Sequence, residues 1–312
     1  MTDGDSAVNH ENKRAQVISE ELAKPTGDAA NILANHIVDQ HPESAVILYG
    51  SGNSVLSNAS PTDVLFDFYV ITPSYKKFYK TKFLAFLNFT APPNVFYIEM
   101  ETPEGRLRAK YAVLSISHFE KLISKKTFHS YFWARFAQPA RIVSSPVDLR
   151  PRLENCIMTA IDTFVARAAP LVPTNASTHT IWRTGLARSY KAELRAEPPE
   201  RIDKLLASYG SWAEEVTAKN HKTGPSIMSA FAWQLRSAQG AFLSVLRLLK
   251  ATTTFHGGVD YIVWKIERHS GISVSVKPWE RQHPFFGSFS LAWRYYRLKA
   301  RATKTMPKSS NL

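Results

Sequence analysis

The hydrophobic pattern of the first half of the chain alternates between short apolar runs and helix-like periodicity. Residues 45–49 and 65–72 are continuous apolar runs, which are typical of strands covered on both faces of a sheet. Residues 94–101 and 106–115 form two further runs, and the polar link that ends in Gly105 predicts a hairpin between them. Helical periodicity surrounds these runs and predicts, among others, one helix over residues 74–88. The pattern therefore predicts a mixed sheet of three or four strands with flanking helices.

The second half of the chain has a mainly helical pattern, which begins near residue 147. Links rich in Pro, Thr and Asn separate the predicted helices, which span residues 147–169, 179–196, 199–218 and 226–250. A short helix is predicted over residues 257–271. The stretch 285–304 then mixes aromatic with basic residues and has no acidic residue. We predict an α+β protein in four regions: a disordered tail over 1–14, a sheet-containing domain over 15–145, a helical domain over 146–255 and a basic amphipathic, membrane-binding region over 256–312.

The net charge and the cysteine content limit which partners and which cellular compartment we expect. The formal net charge is +13, which predicts anionic partners such as nucleotides, nucleic acid or acidic lipid headgroups. The single cysteine, Cys156, excludes an internal disulfide and is typical of a reducing compartment. The polar start of the chain predicts no secretory signal, and no segment reaches the roughly 18 uncharged apolar residues of a spanning helix. We expect a soluble or peripheral protein.

The turn Gly50-Ser51-Gly52 and the nearby strand residue Asp67 are the main candidates for chemistry. Glycines let a backbone approach a ligand closely, and the exposed N–H groups of such a turn suit phosphate oxygens. Asp67 stands in an apolar strand, where an unpaired carboxylate is costly. Either a salt bridge to Lys or Arg or a Mg²⁺ ion would satisfy it. Together the two features predict a site for a metal and a phosphate.

A metal site gains from a second carboxylate, and the sequence offers two candidates. Glu99 lies in a strand-like run, and we expect it to converge with Asp67 if the two strands are neighbours. Asp63 is closer to the glycine turn but stands in a polar loop, so Glu99 is preferred. Lys110 shares one strand face with other basic residues; that face is either solvated or stabilises a triphosphate.

Basic residues in the second half predict contact with an acidic surface. Arg188 and Lys191 lie on one predicted helix, whose basic face either binds a lipid headgroup or is merely solvated. Trp293, Arg294 and Arg297 belong to the aromatic and basic C-terminal stretch, which suits the headgroup zone of an anionic membrane. The alternative for that stretch is a helix packed on the protein's own body.

An ordered set of motifs gives the chain a resemblance to a known family. The motifs are Tyr49-Gly50-Ser51-Gly52, Leu65-Phe66-Asp67-Phe68-Tyr69-Val70, Lys110-Tyr111-Ala112-Val113 and Tyr131-Phe132-Trp133-Ala134-Arg135-Phe136-Ala137-Gln138-Pro139. Because these motifs occur in this order, the chain resembles the mitochondrial-type phosphatidate cytidylyltransferases, which are peripheral enzymes associated with mitochondrial translocator maintenance. It looks like a bacterial relative of that family. The resemblance is clearest over residues 45–145. It implies a nucleotidyltransferase-like sheet domain, a winged-helix-like helical domain and a membrane-binding tail.

The resemblance also implies an activity and a set of residue roles. The implied reaction transfers cytidylate from CTP to phosphatidic acid with Mg²⁺, at the inner face of the cell membrane, with no nucleic acid as partner. By position, Gly50 and Ser51 would hold the triphosphate together with Gly52, Asp67 would bind metal and Lys110 would contact phosphate. Tyr69 stands where this superfamily usually has a second acid, and we place it in the nucleotide site. That departure leaves two rivals: another acceptor, such as RNA or a small phosphorylated metabolite, and a non-catalytic membrane-associated relative.

Overall fold

The computed structural model describes residues 3–50, 60–193, 199–218, 224–254, 275–282, 290, 294 and 297. Its centre is a five-stranded sheet in the order β3-β4-β2-β1-β5, in which β2 and β4 are parallel and the other neighbours are antiparallel. The strands are β1 (Ala45–Leu48), β2 (Leu65–Thr72), β3 (Asn94–Thr102), β4 (Gly105–Ser115) and β5 (Arg141–Ser144). The predicted α+β class, with a mixed sheet and flanking helices, is confirmed.

Helices cover the sheet and form the second half of the chain. Before β5 they are α1 (Asp3–Ala23), α2 (Asp28–Gln40), α3 (Tyr75–Phe78), α4 (Lys82–Thr90), α5 (Ile116–Ile123) and α6 (Trp133–Phe136). After β5 they are α7 (Arg150–Ala168), α8 (Thr178–Ala192), α9 (Pro199–Ser208), α10 (Trp212–Val216), α11 (Ile227–Thr254) and α12 (Pro278–Gln282).

Each face of the sheet has its own apolar core, because successive strand residues point to opposite faces. One face, with Leu48 and Phe68, packs against Leu33 and Ile37 of α2. The other face, with Ile47, Tyr69 and Leu114, belongs to a larger cluster that includes buried residues of α1, α5, α6, α7, α8, α10 and α11. The helical second half is therefore built directly onto the second face, and the apolar contacts continue across residue 145.

Three sequence predictions need correction against this fold. The tail predicted over 1–14 is helical from Asp3, and Arg14 is buried: it donates to the Val216 carbonyl at 2.8 Å and pairs with Asp162. The helix predicted over 74–88 is two helices, α3 and α4. The fifth strand, β5, was not predicted. The helix predicted over residues 257–271 lies outside the described residues.

The hairpin prediction is confirmed, since β3 and β4 pair in antiparallel register with Thr102 opposite Gly105. Gly105 has a φ of +122°, a conformation that side chains rarely adopt, so a glycine is required at this turn. Among the described residues, no helix is both long and apolar enough to cross a membrane.

Candidate functional site

Asp67 and Lys110 form the centre of the site because their strands pair in parallel register. Asp67 is the third residue of β2 and lies opposite Lys110 of β4. The Lys110 ammonium lies 2.9 Å from one Asp67 carboxylate oxygen, and the two side chains are 37% and 19% exposed. This ion pair compensates part of the cost of placing a carboxylate in an apolar strand.

Gly50, the first residue of the predicted glycine turn, lies beside the same carboxylate. The Tyr49 N–H donates to the Asp67 carbonyl at 3.1 Å, which continues the pairing of β1 and β2 by one residue. Gly50 follows with a φ of +78°, and a Cβ built there would lie 3.6 Å from the second Asp67 carboxylate oxygen. The fold therefore brings together Gly50 and Asp67, two of the predicted site residues. Ser51 and Gly52 lie outside the described residues.

Asp67, Lys110 and Gly50 open into a cavity of about 730 Å³ between the sheet and the helices α8 and α9. Its charged lining is mostly basic, with the cations Lys24, Lys110, Arg135, Arg141, Arg201 and Lys204 against the acids Glu21 and Asp67. Both acids are already paired within the lining, Glu21 with Lys24 and Asp67 with Lys110. The net positive charge of the lining favours an anionic ligand.

Arg135 at the inner end of the cavity is held from several sides. Its guanidinium lies 2.7 Å from the Glu193 carboxylate and donates to the Tyr69 hydroxyl at 3.1 Å. It also stacks over the Tyr131 ring, 4.1 Å from the ring centroid. Because Arg135 lies in α6 and Glu193 directly follows α8, this cluster ties the sheet side of the cavity to its helical side.

A second guanidinium, from α11, also stacks over the Tyr131 ring. Arg247 lies 3.8 Å from the Tyr131 ring centroid and donates to the Pro92 carbonyl at 2.9 Å. Burial alone would raise the pKa of Tyr131, but Arg135 and Arg247 outweigh burial and lower that pKa below its ordinary value. Two cations flank one ring here, and Glu193 is the carboxylate paired with Arg135. The inner wall therefore adds to the positive potential of the cavity.

Tyr69, predicted to contact the nucleotide, does not line the cavity. Its side chain is fully buried and packs against Tyr49 and Phe136, with ring centroids 4.8 and 4.7 Å away. Burial is the main reason why the pKa of Tyr69 is raised well above its ordinary value. Its hydroxyl reaches the site only by accepting a hydrogen bond from Arg135.

Glu99 is not brought together with Asp67, because β4 lies between β3 and β2. Its carboxylate is instead bound by Arg106 at 2.9 Å and Arg108 at 3.1 Å, and it accepts a hydrogen bond from the Tyr97 hydroxyl at 2.7 Å. The expected convergence of two strand carboxylates therefore does not occur.

Asp63, the other candidate second carboxylate, is exposed in the short 3-10 helix Pro61–Asp63 and does not line the cavity. Within the described part of the chain, no group of three or more His, Cys, Asp or Glu residues could hold a metal ion. Magnesium commonly needs only one or two carboxylates together with substrate phosphates. Asp67 fits that requirement for an ion delivered with a nucleotide.

The residues predicted to contact a membrane lie apart from each other in the chain. Arg188 and Lys191 are exposed on α8. Arg294 binds Glu280 of α12 at 2.6 Å and donates to the Ser275 carbonyl at 2.8 Å. Arg297 is exposed, and Trp293 lies outside the described residues. Both contacts of Arg294 lie within the predicted C-terminal region itself, so they do not distinguish the two predictions made for that stretch.

Sequence reasoning missed most of the basic lining. Arg141, Arg201 and Lys204 come from β5 and α9 and reach the cavity only through the tertiary fold. The Nε of Arg141 is buried and has no hydrogen-bond partner in the described structure, which suits an anion acceptor. Arg135 was within a motif of the family resemblance, so that motif was a usable signal. No protein-family model and no curated protein matches the chain.

Proposed function

We propose that this chain is a magnesium-dependent nucleotidyltransferase that moves cytidylate from CTP to phosphatidic acid, giving CDP-diacylglycerol and pyrophosphate. The observation that carries the proposal is the basic cavity shared by the Asp67 carboxylate and the Gly50 turn. A carboxylate beside a glycine turn suits a metal-bound phosphate, and a basic lining suits a polyphosphate. The nucleotide and the lipid acceptor come from the resemblance of the motifs.

The proposal extends to the architecture and the location. The sheet and its helices correspond to a nucleotidyltransferase-like domain, and the helices that follow correspond to a winged-helix-like domain. The protein works as a peripheral enzyme on the inner face of the cell membrane, where phosphatidic acid is available. The net charge of +13 supports attraction to such an anionic surface.

Five residues of the cavity lining have a role in this proposal. Asp67 holds Mg²⁺, whose chemistry is to neutralise charge on the phosphates. Lys110 is already beside Asp67 and reaches the same phosphates, while Arg201 and Lys204 face them from α9. Arg135 is a positioning residue, because Glu193, Tyr69 and Tyr131 fix its guanidinium.

The reaction needs orientation and charge neutralisation more than acid–base chemistry. An oxygen of the lipid phosphate forms a bond to the α-phosphorus of CTP. The bond from that phosphorus to the bridging oxygen of the β-phosphate breaks, and its electron pair leaves with pyrophosphate. The lipid phosphate is already ionised near neutral pH, so no strong base is required. Among the lining residues of the described cavity, none is a histidine or a cysteine, which agrees with this scheme.

The test compares Asp67→Asn with Glu99→Gln, two carboxylate-to-amide changes on the same face of the sheet. Vesicles that contain phosphatidic acid are incubated with CTP and Mg²⁺, and both CDP-diacylglycerol and pyrophosphate are measured. We expect Asp67→Asn to lower the rate by about a hundredfold or more, since it removes a charge that acts on the phosphates. Glu99→Gln should stay within about threefold of the wild type, because Glu99 is bound by arginines outside the cavity. A wild type no faster than Asp67→Asn would refute the proposal.

A second candidate function is nucleotide binding without turnover. The specific observation in its favour is the Lys110–Asp67 ion pair, together with a buried tyrosine at position 69. Calorimetric titration with CTP, combined with the pyrophosphate assay, separates the two functions, because both predict binding and only the first predicts pyrophosphate release. Replacing the lipid vesicles by RNA or by a small phosphorylated metabolite tests the acceptor in the same assay.

A further inference from the structure

Helix α4 exposes aromatic side chains on the side that an ordinary surface helix makes polar. Its one buried residue is Asn88, whereas Phe83, Phe86 and Phe89 are 63%, 62% and 64% exposed. The three phenylalanines are spaced by three residues, so they share one side of the helix. A surface helix normally turns its apolar side to the core and its polar side to water. Helix α4 is instead apolar on both sides: Leu84 and Ala85 pack against the core, and the three phenylalanines face outward.

A buried hydrogen-bond network fixes this orientation. The Asn88 side-chain amide donates to the Val113 carbonyl at 2.8 Å and to the Tyr79 hydroxyl at 2.9 Å. Its oxygen accepts from the Asn94 N–H, and the Asn94 side chain in turn donates to the Leu84 carbonyl at 2.9 Å. Rolling α4 to bury its phenylalanines would leave these polar groups unpaired in the core. These hydrogen bonds therefore stabilise the orientation of α4 in which the three rings are exposed to solvent.

The neighbourhood of the three rings is basic. The segment 68–98 contains Lys76, Lys77, Lys80 and Lys82 and has no acidic residue. All four lysines are exposed, and Lys77 is paired with Glu43. On the far side Phe89 contacts the His118 ring of α5, with centroids 5.6 Å apart.

We propose that α4 is a membrane-docking helix whose phenylalanines enter an anionic bilayer surface. The docking surface consists of Lys76, Lys80, Lys82, Phe83, Phe86 and Phe89. Aromatic rings settle at the boundary between headgroups and acyl chains, and lysines beside them bind anionic headgroups. A bilayer suits this surface because exposed aromatic rings stand beside exposed lysines, in a segment, 68–98, that has no acidic residue. The inference is independent of the proposed catalytic activity.

A site-specific fluorescent label tests whether position 86 enters the bilayer. The only native cysteine, Cys156, is buried, and burial raises its pKa to about 12, so it reacts poorly with thiol reagents. A polarity-sensitive dye is attached to Phe86→Cys and, as the control, to Val147→Cys, which replaces a side chain that is 91% exposed. We expect the emission at position 86 to shift to shorter wavelength with vesicles of phosphatidylcholine and phosphatidylglycerol. Vesicles of phosphatidylcholine alone should have a much smaller effect.

Three results would overturn the inference. The dye at position 86 could remain water-exposed while the protein sediments with the anionic vesicles, which would place the contact elsewhere. The dyes at 86 and 147 could shift equally, which would mean unspecific adsorption. The dye at 86 could shift without vesicles as protein concentration rises, which would assign the surface to a second copy of the chain.

Vesicle sedimentation of two triple variants gives a second measurement. F83S/F86S/F89S should bind anionic vesicles at least about tenfold more weakly than the wild type, because it removes three apolar groups that would leave water. F83L/F86L/F89L keeps the apolar character and should bind within about threefold of the wild type. The exposed rings contribute little to the core, so both variants should keep the urea midpoint of the wild type. Serine-variant binding equal to the wild type would refute the docking role.

Discussion

Breaking the Arg135–Glu193 ion pair should destabilise the protein strongly, because both partners are largely buried. Their side chains are only 12% and 8% exposed, and the charged atoms are 2.7 Å apart. At an effective dielectric constant of about 20, the attraction between the two charges is about 6 kcal/mol before any desolvation cost. Glu193→Gln removes the carboxylate charge and leaves the guanidinium buried without its counter-ion.

The net loss is smaller than that attraction but still large. Breaking a buried pair by removing one partner typically costs about 3–5 kcal/mol, since a charge is left uncompensated. Arg135 keeps the Tyr69 hydroxyl and the Tyr131 ring, and glutamine can still accept a hydrogen bond. We therefore expect Glu193→Gln to lower the free energy of unfolding by about 3 kcal/mol. Urea unfolding followed by tryptophan fluorescence measures this loss as a lower midpoint.

The chain provides a matched control in a second ion pair, which joins α8 to α9. Arg183 lies 2.6 Å from Asp203 of α9, but both side chains are 46% exposed. Water screens such a pair, so Asp203→Asn should leave the urea midpoint unchanged. If Glu193→Gln is no more destabilising than Asp203→Asn, burial does not set the strength of the Arg135 contact and the reasoning is wrong.

Two further stability predictions follow from packing and from protonation. Gly240→Ala should lower the free energy of unfolding by about 2 kcal/mol, because the added Cβ would collide with the Ala192 carbonyl between α8 and α11. Gly27→Ala is the control and should not lower it, because the space around Gly27 is open. Burial, reinforced by Arg247, lowers the pKa of His129 from 6.5 to about 4, so protonation favours the unfolded state. Stability should therefore fall by up to ~3 kcal/mol as pH decreases from 6.5 to 4, and His129→Gln should show a shallower loss in urea midpoints.

Local patterns predicted the central strands and the hairpin but not the fifth strand. The apolar runs of β1 and β2 and the link before Gly105 are signals that depend on nearby residues alone. In contrast, β5 has only four residues, and two of them are Arg141 and Ser144. It is a strand because it pairs with β1, which is almost a hundred residues earlier in the sequence. A pattern read from neighbouring residues alone cannot predict that pairing.

The break between α3 and α4 had a local signal that was overlooked. Ser74 and Thr81 each cap a helix, accepting hydrogen bonds from the Lys77 and Leu84 N–H groups. Two capping residues seven positions apart indicate two helix starts. Because the helices differ in direction, Tyr75 is buried while Phe83 is exposed, whereas one continuous helix would place both on the same side.

The candidate site was predictable in its residue types but not in its assembly. Asp67, Gly50 and Lys110 were selected separately, and the parallel pairing of β2 with β4 places them together. The same strand order keeps Glu99 away from Asp67. In the β3–β4 hairpin, β4 pairs with β2, and β3, which carries Glu99, is left at the edge of the sheet. Alternation along each strand could identify the face of a carboxylate, but it could not identify the neighbouring strand.

The cavity and the docking surface are far enough apart for their tests to be independent. Asp67 is the third residue of β2, and the chain reaches α3 and α4 only after the opposite end of that strand. Five residues at about 3.3 Å each separate Asp67 from Thr72, which gives a distance of about 17 Å along the strand. Phe83, Phe86 and Phe89 do not line the cavity, and the Asp67 carboxylate is paired with Lys110, so side-chain changes at these phenylalanines leave the contacts of Asp67 intact. A serine variant that loses vesicle binding should still bind CTP in solution, and Asp67→Asn should still bind vesicles, so either proposal can fail without the other.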